Sequence, residues 1–303
     1  MKIKTILLFI LLINLYGCVN QPGIEDSLGT FDISKDDKKI LFSYKKVNKS
    51  SIYSMNIDGT NIRSIIEAKN GKNFVNPRYS NDKKKILFIE SSMQGQKNSS
   101  LCIASPDGNN IIKVVNELGV ITEAFFRSNV DEIIFCKANE YKKYSPIGRK
   151  MPHDFDIYSI NLTTGRLVRL TNISAYSINH ITEIDGKITF NLKSNAYNGI
   201  FTLSEHNIVP FISNGKFKDK IVSSAFLFLP EKKEIIYVDS YDLFKMNTKT
   251  KKSTFLIKSD FGIVSLMRRF NNSKKILCSM QNDTNLYILD NNLFSKSVIS
   301  INL

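Results

Sequence analysis

Residues 79–91 read YSNDKKKILFIES, in which one acidic and three basic side chains lead directly into an apolar run typical of a β-strand. Asn81 and Asp82 favour a turn just before that run. The stretch is therefore either a cationic binding patch or the solvated corner of a β-hairpin. Its copies elsewhere in the chain distinguish the two.

The same phrase occurs six times along the chain, at 33–44, 79–90, 126–137, 181–192, 228–239 and 270–280. A second apolar phrase follows each copy, such as SIYSMNIDGTN at 51–61, and a short third run such as IRSII at 62–66. One isoleucine of each copy stands at position 40, 86, 133, 188, 235 or 276, so the repeat is 41 to 55 residues long. Such a period is typical of repeat architectures.

Each repeat reads as four short strands, which we call A to D, joined by turns. Strand A is predicted to end at Ile33, Tyr79, Phe126, Ile181, Phe228 or Phe270. A lone four-stranded sheet leaves both faces uncovered, whereas six arranged radially cover one another. The sequence therefore predicts an all-β fold, a six-bladed β-propeller of four-stranded antiparallel blades over residues 29–303. The opening stretch is then mainly a hairpin corner, and the lysines of such corners should form a basic rim at one end.

The first 28 residues differ from the repeats. MKIKTILLFILLINLYGC has a positive start and a short apolar core, which fits a signal peptide over 1–17. Leu15, Gly17 and Cys18 match a bacterial lipobox, so we expect lipidation of Cys18 and a polar tether over 18–28, although Tyr16 departs from the pattern. An ordinary signal peptide or an N-terminal anchor helix is the alternative.

The repeat resembles that of TolB-type (WD40-like) six-bladed propellers. The closest phrases are NPRYSNDKKKILF (76–88), SPDGNNIIKVV (105–115) and DIYSINLTTGRLVRLT (156–171). The resemblance covers residues 29–303 and implies the fold, but it implies no particular activity, because propellers host many unrelated functions.

Cysteines and histidines give no sign of a metal site. Cys102, Cys136 and Cys278 lie in apolar strand-like runs without zinc-ligand spacing, so they are either buried free thiols or include one disulfide. His153, His180 and His206 fall at different levels of the predicted blades, so we expect no shared metal ion. No cofactor motif and no G-x-S-x-G elbow occurs, so we expect no cofactor.

Two sets of residues are candidates for ligand or partner binding. The longest predicted loop, 136–156 in the third repeat, mixes aromatic and basic side chains: Tyr141, Tyr144, Arg149, Lys150 and His153. The second set precedes the buried residue that ends strand A and should point towards the central channel: Asp32, Arg78, Phe125, His180, Leu227 and Arg269. Of these, Arg78, His180 and Arg269 are the predicted binding residues.

These observations predict a monomeric, membrane-anchored lipoprotein of the bacterial cell envelope, in the periplasm or at the surface. Its propeller would serve as a non-catalytic platform for a protein or glycan partner. The alternative is a polysaccharide lyase or hydrolase-like enzyme with its site at the channel mouth. The net charge of +14 permits nucleic acid as a partner, but an exported anchor argues against it.

Overall fold

The computed structural model describes residues 26–92, 98–128, 131–143, 146–205, 207–211, 222–239, 242–258, 262–290 and 296–303. These residues form six four-stranded antiparallel sheets, each built from consecutive strands. The predicted all-β six-bladed propeller is confirmed. No helix in the described ranges is long and apolar enough to cross a membrane. The predicted signal peptide, Cys18 and most of the tether lie outside the described residues.

The strands of the first three blades are as follows. Blade 1 contains β1 (Ser27–Ile33), β2 (Lys39–Lys46), β3 (Lys49–Asn56) and β4 (Arg63–Ile66). Blade 2 contains β5 (Lys72–Tyr79), β6 (Ile86–Ser92), β7 (Ser99–Ala104) and β8 (Ile112–Val115). Blade 3 contains β9 (Val120–Phe126), β10 (Glu132–Lys142), β11 (Met151–Asn161) and β12 (Leu167–Arg169).

The other three blades repeat this order. Blade 4 contains β13 (Ser177–Ile184), β14 (Lys187–Lys193), β15 (Asn198–Ser204) and β16 (Asn207–Pro210). Blade 5 contains β17 (Val222–Leu229), β18 (Glu234–Asp239), β19 (Asp242–Asn247) and β20 (Ser253–Ile257). Blade 6 contains β21 (Val264–Arg269), β22 (Ile276–Met280), β23 (Leu286–Leu289) and β24 (Lys296–Ile299).

The core is divided among the contacts between blades. Six clusters of buried side chains each join two neighbouring blades, and together they close the ring. Phe42 of β2 and Leu277 of β22, both fully buried, belong to the cluster between blades 1 and 6. No strand is shared between the two ends of the chain in the described part, so this last interface is closed by side chains and hydrogen bonds.

The corner between strands A and B explains the opening stretch. Lys83 adopts a φ of 60°, and the equivalent Asp37, Asp185 and Lys233 adopt φ values of 58°, 48° and 51°. The Ser80 hydroxyl and the Lys84 amide both donate hydrogen bonds to Asp82 Oδ1, at 2.6 and 3.1 Å. Lysines at the corners of blades 1, 2, 5 and 6 are exposed, namely Lys38, Lys39, Lys84, Lys85, Lys232, Lys233, Lys274 and Lys275. The stretch is a solvated hairpin corner. The exposed lysines form a lysine rim at the A–B end of the ring, interspersed with the exposed carboxylates Asp36, Asp82, Asp185 and Glu231.

The ends of strand A differ from the prediction in blades 4, 5 and 6. Strand β13 continues to Ile184 and β17 to Leu229, whereas β21 ends at Arg269. The pairing of strands A and B is irregular in every blade, for example between Asn179 and Thr182 in blade 4. Strand A contains extra residues opposite strand B, so the apolar residues of the repeat need not coincide with the end of the strand. An alignment of the repeats by sequence does not show these extra residues.

The three cysteines of the propeller are free thiols and are buried. Burial raises the pKa of Cys102 to about 12 and raises the pKa of Cys136 as well. Both are therefore protonated and unreactive at neutral pH. The disulfide alternative is excluded in this structure.

Candidate functional site

The predicted long loop of blade 3 is largely an extended β-hairpin. Strands β10 and β11 remain paired through Lys142 and Met151, so the connection between them spans only 143–150, of which 143 and 146–150 are described. This contradicts the predicted loop over 136–156, because the alternating polar pattern of that segment supports continued strand pairing. The turn exposes Ile147, at 98%, and the neighbouring Met151 is 58% exposed.

The hairpin separates the predicted binding residues from one another. Arg149 and Lys150 are exposed in the turn, whereas Tyr141 is partly buried against the cluster between blades 3 and 4. His153 is half-buried and lies opposite Glu140 in the strand pair. Tyr144 lies outside the described residues. The basic residues and the apolar turn are thus presented to solvent, while Tyr141 helps to fix the hairpin to the ring.

A buried carboxylate holds the base of the hairpin. Asp156 is fully buried and accepts four hydrogen bonds, from Arg169 Nη2 (2.6 Å), Asn139 Nδ2 (3.0 Å), Thr171 Oγ1 (2.8 Å) and the Ile173 amide (2.6 Å). Asp156 raises the pKa of Arg169 through this hydrogen bond. Because both carboxylate oxygens are saturated by donors, Asp156 is a structural group and is not available as an acid or base.

A cleft of about 570 Å³ lies beside the hairpin, between blades 3 and 4. It opens at the end of the ring that bears the B–C and D–A connections. Tyr176 and Tyr197 line it and are 38% and 42% exposed. Half of the remaining lining residues are Asn or Ser, and one is a carboxylate, Asp154, from the hairpin itself. Tyr, Ser and Asn form surfaces that bind partners through rigid aromatic area and adaptable hydrogen bonds.

The central channel collects charged residues from the innermost strands. Burial of Arg268 lowers its pKa; nearby Arg78 lowers it further, while Asp32 and Glu123 oppose the effect. Burial lowers the pKa of His180 to about 4, and Arg268 and Arg78 act in the same direction. These five residues come from blades 1, 2, 3, 4 and 6, so their mutual influence places them around the central axis.

The two carboxylates of the channel join neighbouring blades. Asp32 Oδ2 accepts a hydrogen bond of 2.9 Å from the amide of Tyr79 in blade 2. Glu123 Oε1 and Oε2 accept hydrogen bonds from the amides of His180 and Ile181 in blade 4, at 2.8 and 3.0 Å. His180 sits in the irregular segment of β13, with a φ of 54°, and its ring lies 6.3 Å from that of Phe226.

Only some of the residues predicted to line the channel occupy equivalent positions in the pairing of strands A and B. Arg78 pairs with Leu87, and the residue paired with the equivalent Leu277 of blade 6 is Arg268. Arg269 instead forms an ion pair of 2.7 Å with Glu231 in the A–B corner of blade 5. In blade 4 the equivalent position is Thr182, which pairs with Thr189. Sequence analysis therefore missed Arg268 and Glu123. The signal that could have identified Arg268 is its position directly before Arg269.

Among the described residues, no group of three or more His, Cys, Asp or Glu side chains is arranged to hold a metal ion. His153 lies on the hairpin and His180 lies in the channel, so these two are apart, while His206 is outside the described residues. The expectation that the chain holds no metal remains a prediction.

The described strands define a six-bladed β-propeller, and this fold is similar to that of several solved propellers. The structure is similar to TolB from Acinetobacter baumannii, with a TM-score of 0.61 and 13% identity over 89% of this chain and 62% of that chain. It is also similar to oligogalacturonate lyase from Vibrio parahaemolyticus, with a TM-score of 0.57 and 14% identity over 88% of this chain and 75% of that chain. A puromycin hydrolase gives a TM-score of 0.59 and 6% identity over 91% of this chain and 53% of that chain.

No protein-family profile and no curated protein matches the sequence. At 6–14% identity the structural likenesses show the fold alone. The solved neighbours include a lyase and a hydrolase, as well as TolB, so the likeness does not select among their activities.

Proposed function

We propose that this protein is a lipid-anchored component of the bacterial cell envelope whose propeller binds a partner without catalysis. The observation that carries this proposal is the surface formed by the blade 3 hairpin and the adjacent cleft. It combines an exposed apolar turn at Ile147, the basic Arg149 and Lys150, and a lining rich in Tyr, Asn and Ser. Aromatic residues and arginine are enriched at protein interfaces. A protein partner therefore fits the surface better than a glycan.

The cleft gives little support to the enzymatic alternative. Asp154 is the one carboxylate among its described lining residues, and the nearby Asp156 is fully committed to four donors. Hydrolysis or elimination on a sugar usually requires a pair of acid and base groups or a metal ion.

The anchoring proposal rests on residues 1–18 and on Cys18 in particular. Incorporation of labelled palmitate into the full chain, and its loss in Cys18→Ser, is the expected result. Equal labelling of the two chains would contradict lipidation at this cysteine.

The binding proposal is tested by photo-crosslinking in cells. A photoreactive amino acid at position 147 or 197 of the full chain should give a discrete crosslinked species. The matched control is position 255, because Phe255 is a 56% exposed apolar residue on the outer strand of blade 5. Replacement of residues 143–150 by Asn-Gly, which keeps strands β10 and β11 paired, should abolish the crosslink from position 197. A crosslink of equal strength from position 255, or an undiminished one in the shortened protein, would contradict the proposal.

A further inference from the structure

Three guanidinium nitrogens of the central channel lack hydrogen-bond partners in the described part of the chain. Arg268 Nε and Nη2 and Arg78 Nε are shielded from solvent and have no hydrogen-bond partner in the described part of the chain. The ion pairs found among the described residues involve Arg127, Arg169 and Arg269, but neither Arg78 nor Arg268. Among the described residues, the Arg268 head group donates one hydrogen bond, from Nη1 to the Met267 carbonyl at 2.9 Å. A buried charge without a partner is costly, so such an arrangement needs a compensating group.

The channel carboxylates oppose part of this cost through their charge, but no described hydrogen bond or ion pair joins them to the two arginines. Asp32 accepts amide hydrogen bonds on both oxygens, from Ile33 and Tyr79, each at 2.9 Å. Glu123 likewise accepts one amide hydrogen bond on each oxygen. These carboxylates therefore hold backbone amides, and Arg78 Nε and Arg268 Nε and Nη2 keep unused donors.

A cleft of about 660 Å³ lies between blades 1 and 2 at the end that bears the B–C connections, and neither arginine lines it directly. Lys45 and Lys49 lie on its wall. Its inner end is lined by Thr30, Asn76 and Thr122, each of which has a buried side-chain oxygen without a partner. Thr30 and Asn76 precede Asp32 and Arg78 by two residues on the innermost strands, so the cleft is the mouth of the channel beside blades 1 and 2.

We propose that Arg78 and Arg268 form a binding site for a small oxyanion, a carboxylate or phosphate group that enters through the cleft of Lys45 and Lys49. The planar guanidinium is the side chain best matched to such groups, because it donates two parallel hydrogen bonds. The lysines at the mouth attract the anion, and the unpaired oxygens of Thr30, Asn76 and Thr122 accept hydrogen bonds from its hydroxyl groups or from water. This site is distinct from the hairpin surface and does not depend on the proposed partner.

The experiment is titration of the full chain in detergent with inorganic phosphate or acetate at pH 7, in sodium chloride at constant ionic strength. Thermal unfolding and calorimetry should show saturable binding of at least one of the two anions, and their relative affinities distinguish phosphate from carboxylate recognition. Arg78→Met and Arg268→Met should each weaken binding at least tenfold. Arg269→Met is the matched control: its head group pairs with Glu231 outside the channel, and its affinity should stay within twofold of the wild type.

Two further measurements keep the test decisive. Without added phosphate or acetate, Arg268→Met should unfold at the same or a higher temperature than the wild type, because the substitution removes an uncompensated buried charge. Should a methionine variant fail to fold, Arg268→Lys keeps the charge but loses the planar fork, and its affinity should fall about three- to tenfold. An unfolding temperature that rises with anion concentration without saturating would overturn the proposal. Equal affinities of Arg268→Lys and the wild type for the anion would do the same.

Discussion

At the scale of single residues, His180 couples the channel to pH. Its pKa lies near 4 in the folded chain, against 6.5 for an unperturbed histidine, because burial and the two channel arginines disfavour the imidazolium. The unfolded chain therefore binds more protons between these values, so this contribution to stability is present above pH 6.5 and is lost as the pH falls towards 4.

The corresponding prediction concerns His180→Asn. Asparagine tolerates the positive φ of this position but does not titrate. The wild type should lose about 3 kcal/mol of unfolding free energy through this histidine between pH 6.5 and 4. The variant should lose correspondingly less over the same range, as measured by urea unfolding at several pH values. Parallel pH profiles for the two proteins would show that His180 does not titrate in this way.

The residue scale also shows where prediction from the sequence stops. Ile181 and Ile184 in blade 4 are both buried, and Arg268, Arg269 and Phe270 stand together in blade 6, so more than one alignment of the repeat satisfies the apolar pattern. Only the pairing of the strands identifies Arg268 as the equivalent of Arg78. The bulges in strand A depend on backbone hydrogen bonding, which the apolar pattern does not record.

At the scale of elements, the end of the blade 3 hairpin that joins the ring is held by buried polar contacts rather than by apolar packing. Asp156 lies opposite Lys137 in the strand pair and collects donors from β10, β12 and the segment after β12. The sequence indicates that this connection is long, but it does not reveal that Asp156 is buried. A buried carboxylate depends on partners distant in sequence, and these are known only from the fold.

We therefore expect Asp156→Asn to destabilise the propeller by about 3 kcal/mol, because the buried amide would direct its own N–H group at existing donors and would remove the carboxylate partner of Arg169. The matched variant is Asp154→Asn, two residues away, where the carboxylate lies 3.5 Å from the exposed Lys142. Its expected cost is below about 1 kcal/mol. Denaturant unfolding measures both, and equal losses would show that the burial of Asp156 is not decisive.

At the scale of the whole molecule, the direction of strand A constrains how an anchor holds the ring. Strand β1 begins at the end that bears the hairpin and the clefts and runs towards the lysine rim. Asp26 stands eight positions after Cys18, and eight fully extended steps of the chain reach at most about 29 Å. A lipid on Cys18 would therefore keep the hairpin end nearer the membrane than the lysine rim. Contact of the lysine rim with lipid headgroups would need the tether to run the full height of the ring.

The number of blades and their strand order are predictable from the sequence because each blade repeats one local phrase. The closure of the ring is not predictable from the sequence, because it depends on contacts between the two ends of the chain. Asp37 makes that contact: it accepts hydrogen bonds from the amides of Asn271 and Asn272, at 2.8 and 2.6 Å, and from Asn271 Nδ2 at 2.8 Å. Lys46 Nζ adds a bond of 3.0 Å to the carbonyl of Leu303.

Loss of the Asp37 side chain should loosen the ring at this one interface. Asp37→Gly keeps the positive φ without strain and removes three hydrogen bonds between blades 1 and 6, so we expect a loss of about 1–3 kcal/mol. Hydrogen exchange should accelerate in β1 and β21–β24 but not in β9–β12. Asp36→Ala is the control, because Asp36 accepts its hydrogen bonds from Ser34 and Lys38 within blade 1. Acceleration spread evenly over all six blades would mean that the ring opens as one unit, and that Asp37 does not act as a local closure.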